Sequence, residues 1–487
     1  MRIRLNNIGI VHDSTIDMAG LTIITGKNNS GKTTVGKALY SLLDAVSNLS
    51  KKARRDRERY IINQLDNVAE AMDLFRFFSR ARDFENFVAL ENVAEKYPML
   101  MLLLAGDYVH EIPQHEIEDF ARKVHLELNK VDVEELSNIS LIQFYAQRFL
   151  QKQEDQIDTA KMLSEQVNKG ILILEELFAA LEKDSQLVEY ARESINQTLN
   201  VEFSGQIQPA LFDVDASKIE IYEEDTCCFD VDIKNNTVVK NGNPVFGTSP
   251  YQKTFFIDNP FLLDNIPMAR RMLRNPFGVD ASCLINSNNI VPHSNKLAFI
   301  LRADSQPSVL EQTIIDSSLE TVKEKINSIV PGTFEFSTGG DYYVQNGKKL
   351  KMANLATGSK MFSIIKILLE KGHLGKSTML ILDEPEAHLH PKWQNRFAEM
   401  IVLLVKELDV NILLTTHSPN FVLALDAYMR KYSIEGKTNF YRTEFNEDNM
   451  VDYVCVNEDI GSIYHDFLEY LSEVKMLRNE CMRNYDD

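Results

Sequence analysis

The feature that most constrains this chain is a glycine-rich loop set between a short apolar run and a helical pattern. Residues 21–25 are typical of a buried strand, residues 26–33 read GKNNSGKT, and apolar residues recur at helical spacing from Thr33 onward. Glycines let successive backbone N–H groups point at phosphate oxygens, and the following helix adds its positive end. The order of strand, loop and helix therefore predicts a phosphate-binding loop.

The loop fits the pattern G-x-x-x-x-G-K-[ST], which binds nucleoside triphosphates. In this pattern Lys32 reaches the β- and γ-phosphates, and the Thr33 hydroxyl lies on Mg²⁺. ATP and Mg²⁺ are therefore the predicted cofactors. The residues predicted to bind the nucleotide in this loop are Gly26, Asn28, Asn29, Ser30, Gly31, Lys32, Thr33 and Thr34.

A second apolar run ends in two acidic residues. Residues 377–382 are typical of a strand covered on both faces, and Asp383 and Glu384 follow within MLILDEP. At the rim of a sheet, Asp383 is predicted to hold Mg²⁺ together with Thr33, and Glu384 to accept a proton from the attacking water. Taken alone, the two acids also fit a solvated strand end. The phosphate loop favours the metal and catalytic interpretation.

With three further segments in the same order, the chain resembles an ABC-type ATPase of the branch that includes SMC proteins, RecF-like and OLD-like ATPases. Residues 355–360, LATGSK, stand where that family has its signature, and residues 386–390 occupy its D-loop position. His417 matches the switch histidine, which contacts the γ-phosphate in the family. The resemblance implies that Glu384 and His417 are catalytic. It also implies nucleotide binding by Ala356, Thr357, Gly358 and Ser359.

The chain departs from the family pattern in two places. Ala356 replaces the signature serine, so one hydroxyl contact to the γ-phosphate is either missing or supplied by Thr357 or Ser359. The Q-loop glutamine has no clear counterpart, which leaves Asp258 or Asn259 for that position. Backbone N–H groups at the start of a helix would still bind an anion at the signature.

The resemblance implies an α/β fold: an ABC-type P-loop ATPase head with a mixed sheet and an inserted helical subdomain. It divides the chain into a head segment with the P-loop (1–46), a helical insertion (47–200), a β-rich and helical connection (201–335), a lobe with the signature, acidic strand and switch histidine (336–430), and a C-terminal extension (431–487). In the family, the signature of one subunit closes the phosphate site of another. We therefore expect a homodimer or higher homo-oligomer around ATP.

Composition excludes several other classes. The chain has 487 residues and a net charge of −19, so a general DNA-coating protein is disfavoured because the polyanion would be repelled. No apolar stretch approaches the ~20 residues that span a bilayer. None of the five cysteines forms a CxxC pair, so neither a zinc site nor a disulfide framework is indicated. We expect a cytoplasmic protein without a membrane role.

Two basic clusters leave direct DNA binding open. One lies within residues 51–59 and the other within residues 270–274. Asp56 and Glu58 interleave with the first cluster, so a solvated, partly ion-paired helix face is the alternative to a phosphate-binding patch.

The long interval between the P-loop and the acidic strand is similar to that of SMC-like and OLD-like ATPases. The sequence lacks a CxxC hook, and no Glu plus Asp-x-Asp arrangement follows His417. The chain thereby resembles the ATPase subunits of two-gene anti-phage systems such as Septu and PARIS, which control a separate nuclease or Toprim effector. The alternative is a RecF/SMC-like DNA-repair or recombination ATPase. A third, weaker interpretation is a nuclease built on Asp230 and Asp232.

Overall fold

The computed structural model forms two compact units. One joins Met1–Leu49 to Val188–Asp487, and the other is Ser50–Leu187. The residues that the structure describes are 1–47, 49–72, 87–104, 112, 116–139, 142–143, 146, 158–183, 187–239, 249–264, 291–303, 320–337 and 340–483. Both nucleotide motifs lie in the first unit.

The first unit is built on a large mixed sheet. Its strands and those of a small second sheet are β1 (Arg2–Ile8), β2 (Val11–Asp17), β3 (Leu21–Thr25), β4 (Ser217–Glu223), β5 (Thr226–Lys234), β6 (Thr237–Val238), β7 (Lys253–Ile257), β8 (Thr333–Ser337), β9 (Gly340–Gln345), β10 (Lys348–Lys351), β11 (Thr378–Asp383), β12 (Asn411–Thr416), β13 (Thr438–Phe445) and β14 (Val451–Cys455). The large sheet has the order β6-β5-β4-β1-β2-β14-β13-β3-β12-β11-β7, and the small one β10-β9-β8. β7, β11, β12, β3 and β13 run parallel. β6, β5, β4, β1 and β2 pair antiparallel with their neighbours, and this part of the sheet is named the meander.

Helices flank the large sheet and build the second unit. In chain order they are α1 (Lys32–Val46), α2 (Leu49–Ala71), α3 (Phe87–Lys96), α4 (Pro98–Leu104), α5 (Ile117–Leu128), α6 (Val133–Ser137), α7 (Thr159–Lys183), α8 (Leu187–Glu202), α9 (His293–Arg302), α10 (Glu320–Ile329), α11 (Thr357–Glu370), α12 (Pro391–Leu408), α13 (Pro419–Tyr432) and α14 (Ile460–Arg483). Short 3₁₀ turns lie at Pro260–Asp264, Met352–Asn354 and Glu435–Lys437. Helices α2 to α7 build the second unit.

The parallel strands are apolar on both faces because both faces are covered. All five residues of β3 are buried. Ile23 belongs with Leu414 to the hydrophobic cluster on one side of the sheet, whereas Ile24 belongs with Leu413 to the cluster on the other side. Successive side chains of a strand point to opposite faces, so this division requires a layer of helices on each side.

The meander has the alternating pattern of a sheet with one solvated face. In β1, Ile3, Leu5 and Ile8 are buried while Arg2 and Arg4 are exposed. The period of two matches the pleat of a strand. Charged side chains therefore lie on the outer face of the meander and pair with one another there.

The second unit has its own hydrophobic core. Ile61, Leu65, Val68 and Met72 are at most 1% exposed, so the predicted apolar seam is buried against the other helices of this unit. Phe75, the fifth member of that seam, lies outside the described residues. The predicted α/β class with a mixed sheet and an inserted helical subdomain is confirmed.

The C-terminal part of the chain contributes to the large sheet. β13 pairs in parallel with β3, and β14 pairs antiparallel with β13. The hairpin of β13 and β14 therefore lies between the meander and the parallel strands. Among the described residues, no helix is both long and apolar enough to cross a membrane.

Candidate nucleotide site

Four parallel strands bring the predicted site residues to one edge of the large sheet. Leu382 pairs in register with Ile257 and Leu414, and Thr25 pairs with Thr416. Parallel strands end on the same side, so the segments that follow them emerge together. The residues that follow or end these strands are Gly26, Asp258, Asp383, Glu384 and His417.

The loop between β3 and α1 is shaped by two residues with left-handed backbone. Asn29 has a φ of 62° and Gly31 a φ of 70°. Glycine adopts this region without a steric penalty, and asparagine tolerates it better than most residues. No side chain caps the start of α1. The first N–H groups of the helix are therefore suited to bind an anion.

The Lys32 side chain lies folded within this loop and is 5% exposed. Its Nζ donates to the carbonyl oxygen of Gly26 at 3.1 Å and to that of Lys27 at 2.7 Å. The same Nζ lies 3.4 Å from Glu384 Oε1. The ammonium is thus held between backbone carbonyls and the acidic strand end, where phosphate oxygens of a bound triphosphate would attract it.

Asp383 is held by two threonine hydroxyls. Thr33 Oγ1 donates to Asp383 Oδ2 at 2.7 Å, and Thr415 Oγ1 donates to Asp383 Oδ1. Burial raises the pKa of Asp383, against the two hydrogen bonds, which lower it. The structure therefore brings the two predicted metal ligands into contact.

The donor set formed by Thr33 and Asp383 fits Mg²⁺. A hydroxyl and a carboxylate are hard oxygen ligands, and Mg²⁺ is commonly bound through one or two carboxylates plus substrate phosphates. Within the described part of the chain, no group of three or more His, Cys, Asp or Glu side chains could hold a metal by itself. Phosphate oxygens and water would complete the shell around this pair.

Glu384 lies between the P-loop lysine and the switch histidine. Its Oε1 faces Lys32, and its Oε2 lies 3.1 Å from His417 Nδ1. Its backbone has a φ of 46°, a left-handed conformation that is uncommon for a residue with a side chain. The Glu384 N–H donates at 3.1 Å to both the carbonyl and the hydroxyl oxygen of Thr415. The strand end is thus fixed so that the carboxylate faces the P-loop.

The predicted signature residues lie at the start of α11 and pack near the D-loop. Ala356 precedes the helix, and no side chain caps this end. A Cβ on Gly358 would lie 3.4 Å from Leu389 Cδ2, so the D-loop passes close by. Among the residues that the structure describes, no hydrogen bond or ion pair joins residues 356–359 to the P-loop. The structure therefore brings together the P-loop, acidic and switch residues, and places the signature in a separate group.

The lysine that follows the signature is fully engaged inside the unit. Lys360 Nζ lies 2.6 Å from Asp264 Oδ1 and 2.7 Å from Asp264 Oδ2, and it donates to the carbonyl oxygen of Ala353 at 3.1 Å. It also lies over the ring of Phe261 at 5.2 Å. Lys360 therefore anchors the signature helix to the turn after β7.

The D-loop and the switch segment are connected by hydrogen bonds. Thr416 Oγ1 donates to Glu386 Oε1, and burial raises the pKa of this carboxylate. Gln394 Nε2 donates to the carbonyl oxygen of Leu389 at 3.1 Å, and Ser418 Oγ donates to Gln394 Oε1 at 3.2 Å. The two segments are therefore joined by hydrogen bonds from Thr416 and Ser418, the residues on either side of His417.

A triad of charged side chains beside the site, two of them buried, has no marking motif in the sequence. His293 Nδ1 lies 2.6 Å from Glu202 Oε2, and His293 Nε2 lies 3.2 Å from Asp258 Oδ1. Burial lowers the pKa of His293, but the hydrogen bonds and charges of Asp258 and Glu202 outweigh it and raise the pKa to about 9. The imidazolium fixes Asp258, one of the two residues left open for the Q-loop position. Glu202 and His293 are 91 positions apart, so no local pattern predicts their contact.

The fold of the first unit and the motifs at the ends of its parallel strands together define a P-loop ATPase. The model of a protein family described as AAA ATPase domain matches residues 1–422, and the chain belongs to this family. Residues 423–487, which include β13 and β14, lie beyond the match. The comparison with curated proteins gives no match.

Among solved structures, the chain is similar to SMC head domains at low identity. An SMC head bound to the C-winged helix domain of ScpA is 11% identical, with a TM-score of 0.37 over 93% of this chain and 96% of that one. The SMC head domain from Thermotoga maritima is 10% identical, with a TM-score of 0.32 over 93% and 98%. An SMC head with an extended coiled coil from Pyrococcus furiosus, bound to the C-terminal domain of ScpA, is 11% identical, with a TM-score of 0.30 over 97% and 98%.

Proposed function

We propose that this chain binds ATP with Mg²⁺ at the P-loop and hydrolyses it between two copies of itself. The observation that carries the proposal is the position of Glu384, whose carboxylate lies between Lys32 and His417 beside the contact of Thr33 with Asp383. This arrangement sets a proton acceptor next to the cation that binds the phosphates.

In the proposed reaction, Lys32 exchanges the carbonyls of its own loop for phosphate oxygens. Thr33 and Asp383 would hold Mg²⁺, which would neutralise charge on the phosphates. Glu384 orients the attacking water and takes its proton, and His417 contacts the γ-phosphate. Because Lys32 leaves the carboxylate when it binds phosphate, nucleotide binding itself frees Glu384 for the water.

The second copy supplies the signature. Residues 356–359 lie at the start of α11, where no side chain caps the helix, and among the described residues no hydrogen bond or ion pair joins them to their own P-loop. The uncapped start of a 14-residue helix attracts an anion. We therefore assign this helix start to the γ-phosphate held by a partner copy, in a homodimer or higher homo-oligomer.

The Glu384→Gln variant tests this proposal. It keeps the size of the side chain but removes the base, so phosphate release should fall roughly 10²- to 10⁴-fold while ATP-bound pairs accumulate. Phosphate release and light scattering with saturating ATP and Mg²⁺ measure the two effects. Unchanged turnover would exclude Glu384 as the base, and a variant that binds ATP yet stays monomeric would exclude the shared site.

We further propose that ATP-dependent pairing makes this chain a cytoplasmic sensor and scaffold for a separate nuclease or Toprim effector in anti-phage defence. The resemblance to two-gene systems supports this role. In the Asp-x-Asp segment, Asp230 is ion-paired within the sheet, because Lys218 Nζ lies 3.0 Å from Asp230 Oδ1 and 3.1 Å from Glu220 Oε1. A neighbouring reading frame for such an effector, and its co-purification with this chain, are the expected observations.

A RecF/SMC-like repair ATPase that acts on DNA is the second candidate. In the basic segment of α2, Arg54 Nε lies 2.9 Å from Glu58 Oε1, and Arg57 lies 3.2 Å from Glu118 Oε2, so part of its charge is neutralised. The cluster at residues 270–274 lies outside the described residues. DNA affinity in the presence of ATP, measured against salt, separates the candidates. A steep fall with salt supports DNA binding, and no salt-sensitive binding supports the protein effector.

A further inference from the structure

The P-loop is contacted by a segment that lies beyond the family match. β13 and β14 form a hairpin in which Thr443 and Tyr453 are direct partners across the two strands. Since β13 also pairs in parallel with β3, the strand that leads into the loop, the hairpin holds a fixed position beside it. The side chains of this cross-strand pair reach two neighbouring residues of the loop, Ser30 and Gly31.

Thr443 begins a chain of hydroxyl hydrogen bonds into the loop. Its Oγ1 donates to Ser30 Oγ at 2.7 Å, and Ser30 Oγ donates to the carbonyl oxygen of Lys27 at 2.7 Å. The same carbonyl accepts from Lys32 Nζ. The contact is close, because a Cβ on Gly26 would lie 1.7 Å from Thr443 Oγ1. The threonine hydroxyl is therefore two hydrogen bonds away from the carbonyl that holds the P-loop lysine.

Tyr453 fixes the other end of the loop. Its hydroxyl donates to the carbonyl oxygen of Gly31 at 2.6 Å, and the side chain is 6% exposed. Burial and the charge of Asp383 raise its pKa, so the phenol keeps its proton and stays a donor. The packing around Gly31 is also close, since a Cβ there would lie 2.7 Å from Ile10 Cγ2.

We propose that Thr443 and Tyr453 are positioning residues that preorganise the P-loop for the triphosphate. The inference rests on the proposed ATP site. Both donors are bonded to the loop from a paired hairpin, which holds the loop in one conformation and lowers the cost of ordering it around a triphosphate. Their removal should weaken ATP binding more than it slows the chemical step, because neither side chain touches the acidic strand end that acts on the water.

Two variants of the full chain test this pair, with one matched control. Thr443→Val keeps the shape of the side chain, and Tyr453→Phe removes one oxygen. Each should raise the Kd for ATP with Mg²⁺ roughly five- to tenfold and leave kcat within about twofold of the unchanged chain, since a buried acceptor loses its donor. The control is Tyr441→Phe, because Tyr441 is 3% exposed on the same hairpin but accepts from the Asp17 N–H instead.

Calorimetric ATP titration, steady-state hydrolysis and thermal unfolding of all variants give the readouts. Thr443→Ser, which keeps the hydroxyl, should bind ATP like the unchanged chain, so the design stays decisive if Tyr453→Phe fails to fold. The inference would be overturned if Thr443→Val and Tyr453→Phe bound ATP as tightly as the unchanged chain. An equal loss of affinity in Tyr441→Phe would overturn it as well. If the unchanged chain itself binds no ATP, the proposed function fails instead.

Discussion

Two charged regions of the first unit differ in the partners of their lysine side chains. On the antiparallel meander, Lys218 is 35% exposed and lies between Asp230 and Glu220, each within 3.1 Å of its Nζ. At the ends of the parallel strands, Lys32 is 5% exposed, donates to backbone carbonyls, and lies 3.4 Å from Glu384. The meander lysine lies between two carboxylates, one of which also pairs with Arg4, whereas the strand-end lysine shares its one carboxylate with a histidine.

The difference between the two lysines indicates which of the two regions suits a ligand site. A partly exposed lysine that is already paired with two carboxylates gains little from a further anion. A buried lysine that faces carbonyls and a shared carboxylate gains new, stronger partners when a polyanion arrives. The strand-end group is therefore poised for a ligand and the meander group is not.

The largest effect should follow when the two lysines are exchanged for alanine. Lys32→Ala removes the cation that would face the phosphates, and ATP hydrolysis should fall at least about 100-fold. Lys218→Ala should leave turnover within about twofold, because its ion pairs lie on β4 and β5, several strands from β3 and the P-loop in the sheet order. Phosphate release by both purified variants checks this contrast. Equal losses in the two variants would erase the distinction between the regions.

The next effect concerns pH and the triad of Glu202, His293 and Asp258. The folded-state pKa of His293, about 9, is above its ordinary value of 6.5, so its contribution to stability is complete below pH 6.5 and is lost as pH rises through 9. The loss should reach roughly 3 kcal/mol. Thermal unfolding from pH 6 to 10 measures it against His293→Gln, which has no imidazolium to lose. A constant stability difference between the two proteins across this range would refute the charged triad.

A smaller effect is expected at the start of the P-loop. Gly26→Ala places a Cβ 1.7 Å from Thr443 Oγ1, so the chain must shift, which costs about 1–3 kcal/mol. Gly436→Ala is the matched control, because nothing lies within 4 Å of a Cβ built there. Denaturant unfolding compares the two variants. The contact between loop and hairpin would be in doubt if Gly26→Ala were as stable as the control.

The smallest effect belongs to the meander carboxylate. Asp230→Asn breaks one ion pair of Lys218 between side chains that are each about one-third exposed, so stability should change by less than about 1 kcal/mol and turnover should stay the same. Denaturant unfolding and phosphate release serve again. A large loss of nuclease activity in this variant would instead revive the third interpretation of the chain.

The strand-end site could be predicted from the sequence because its parts are local. An apolar run, a glycine turn and a helical period identify β3, the P-loop and α1, and a second run identifies Asp383 and Glu384. The contact between Thr443 and Ser30 spans 413 positions, and nothing in the neighbourhood of Thr443 marks it. Pairing of β13 with β3 creates that contact, so it emerges only when the sheet is assembled.

The backbone at Glu384 has one more consequence. Its φ of 46° lies in the left-handed region, which glycine adopts without strain but a residue with a side chain does not. Glu384→Gly would therefore remove the backbone strain and also the carboxylate. The variant should be more stable to unfolding but should no longer hydrolyse ATP. The strain at this turn is therefore a cost in stability that the proposed catalytic role of the Glu384 carboxylate would explain.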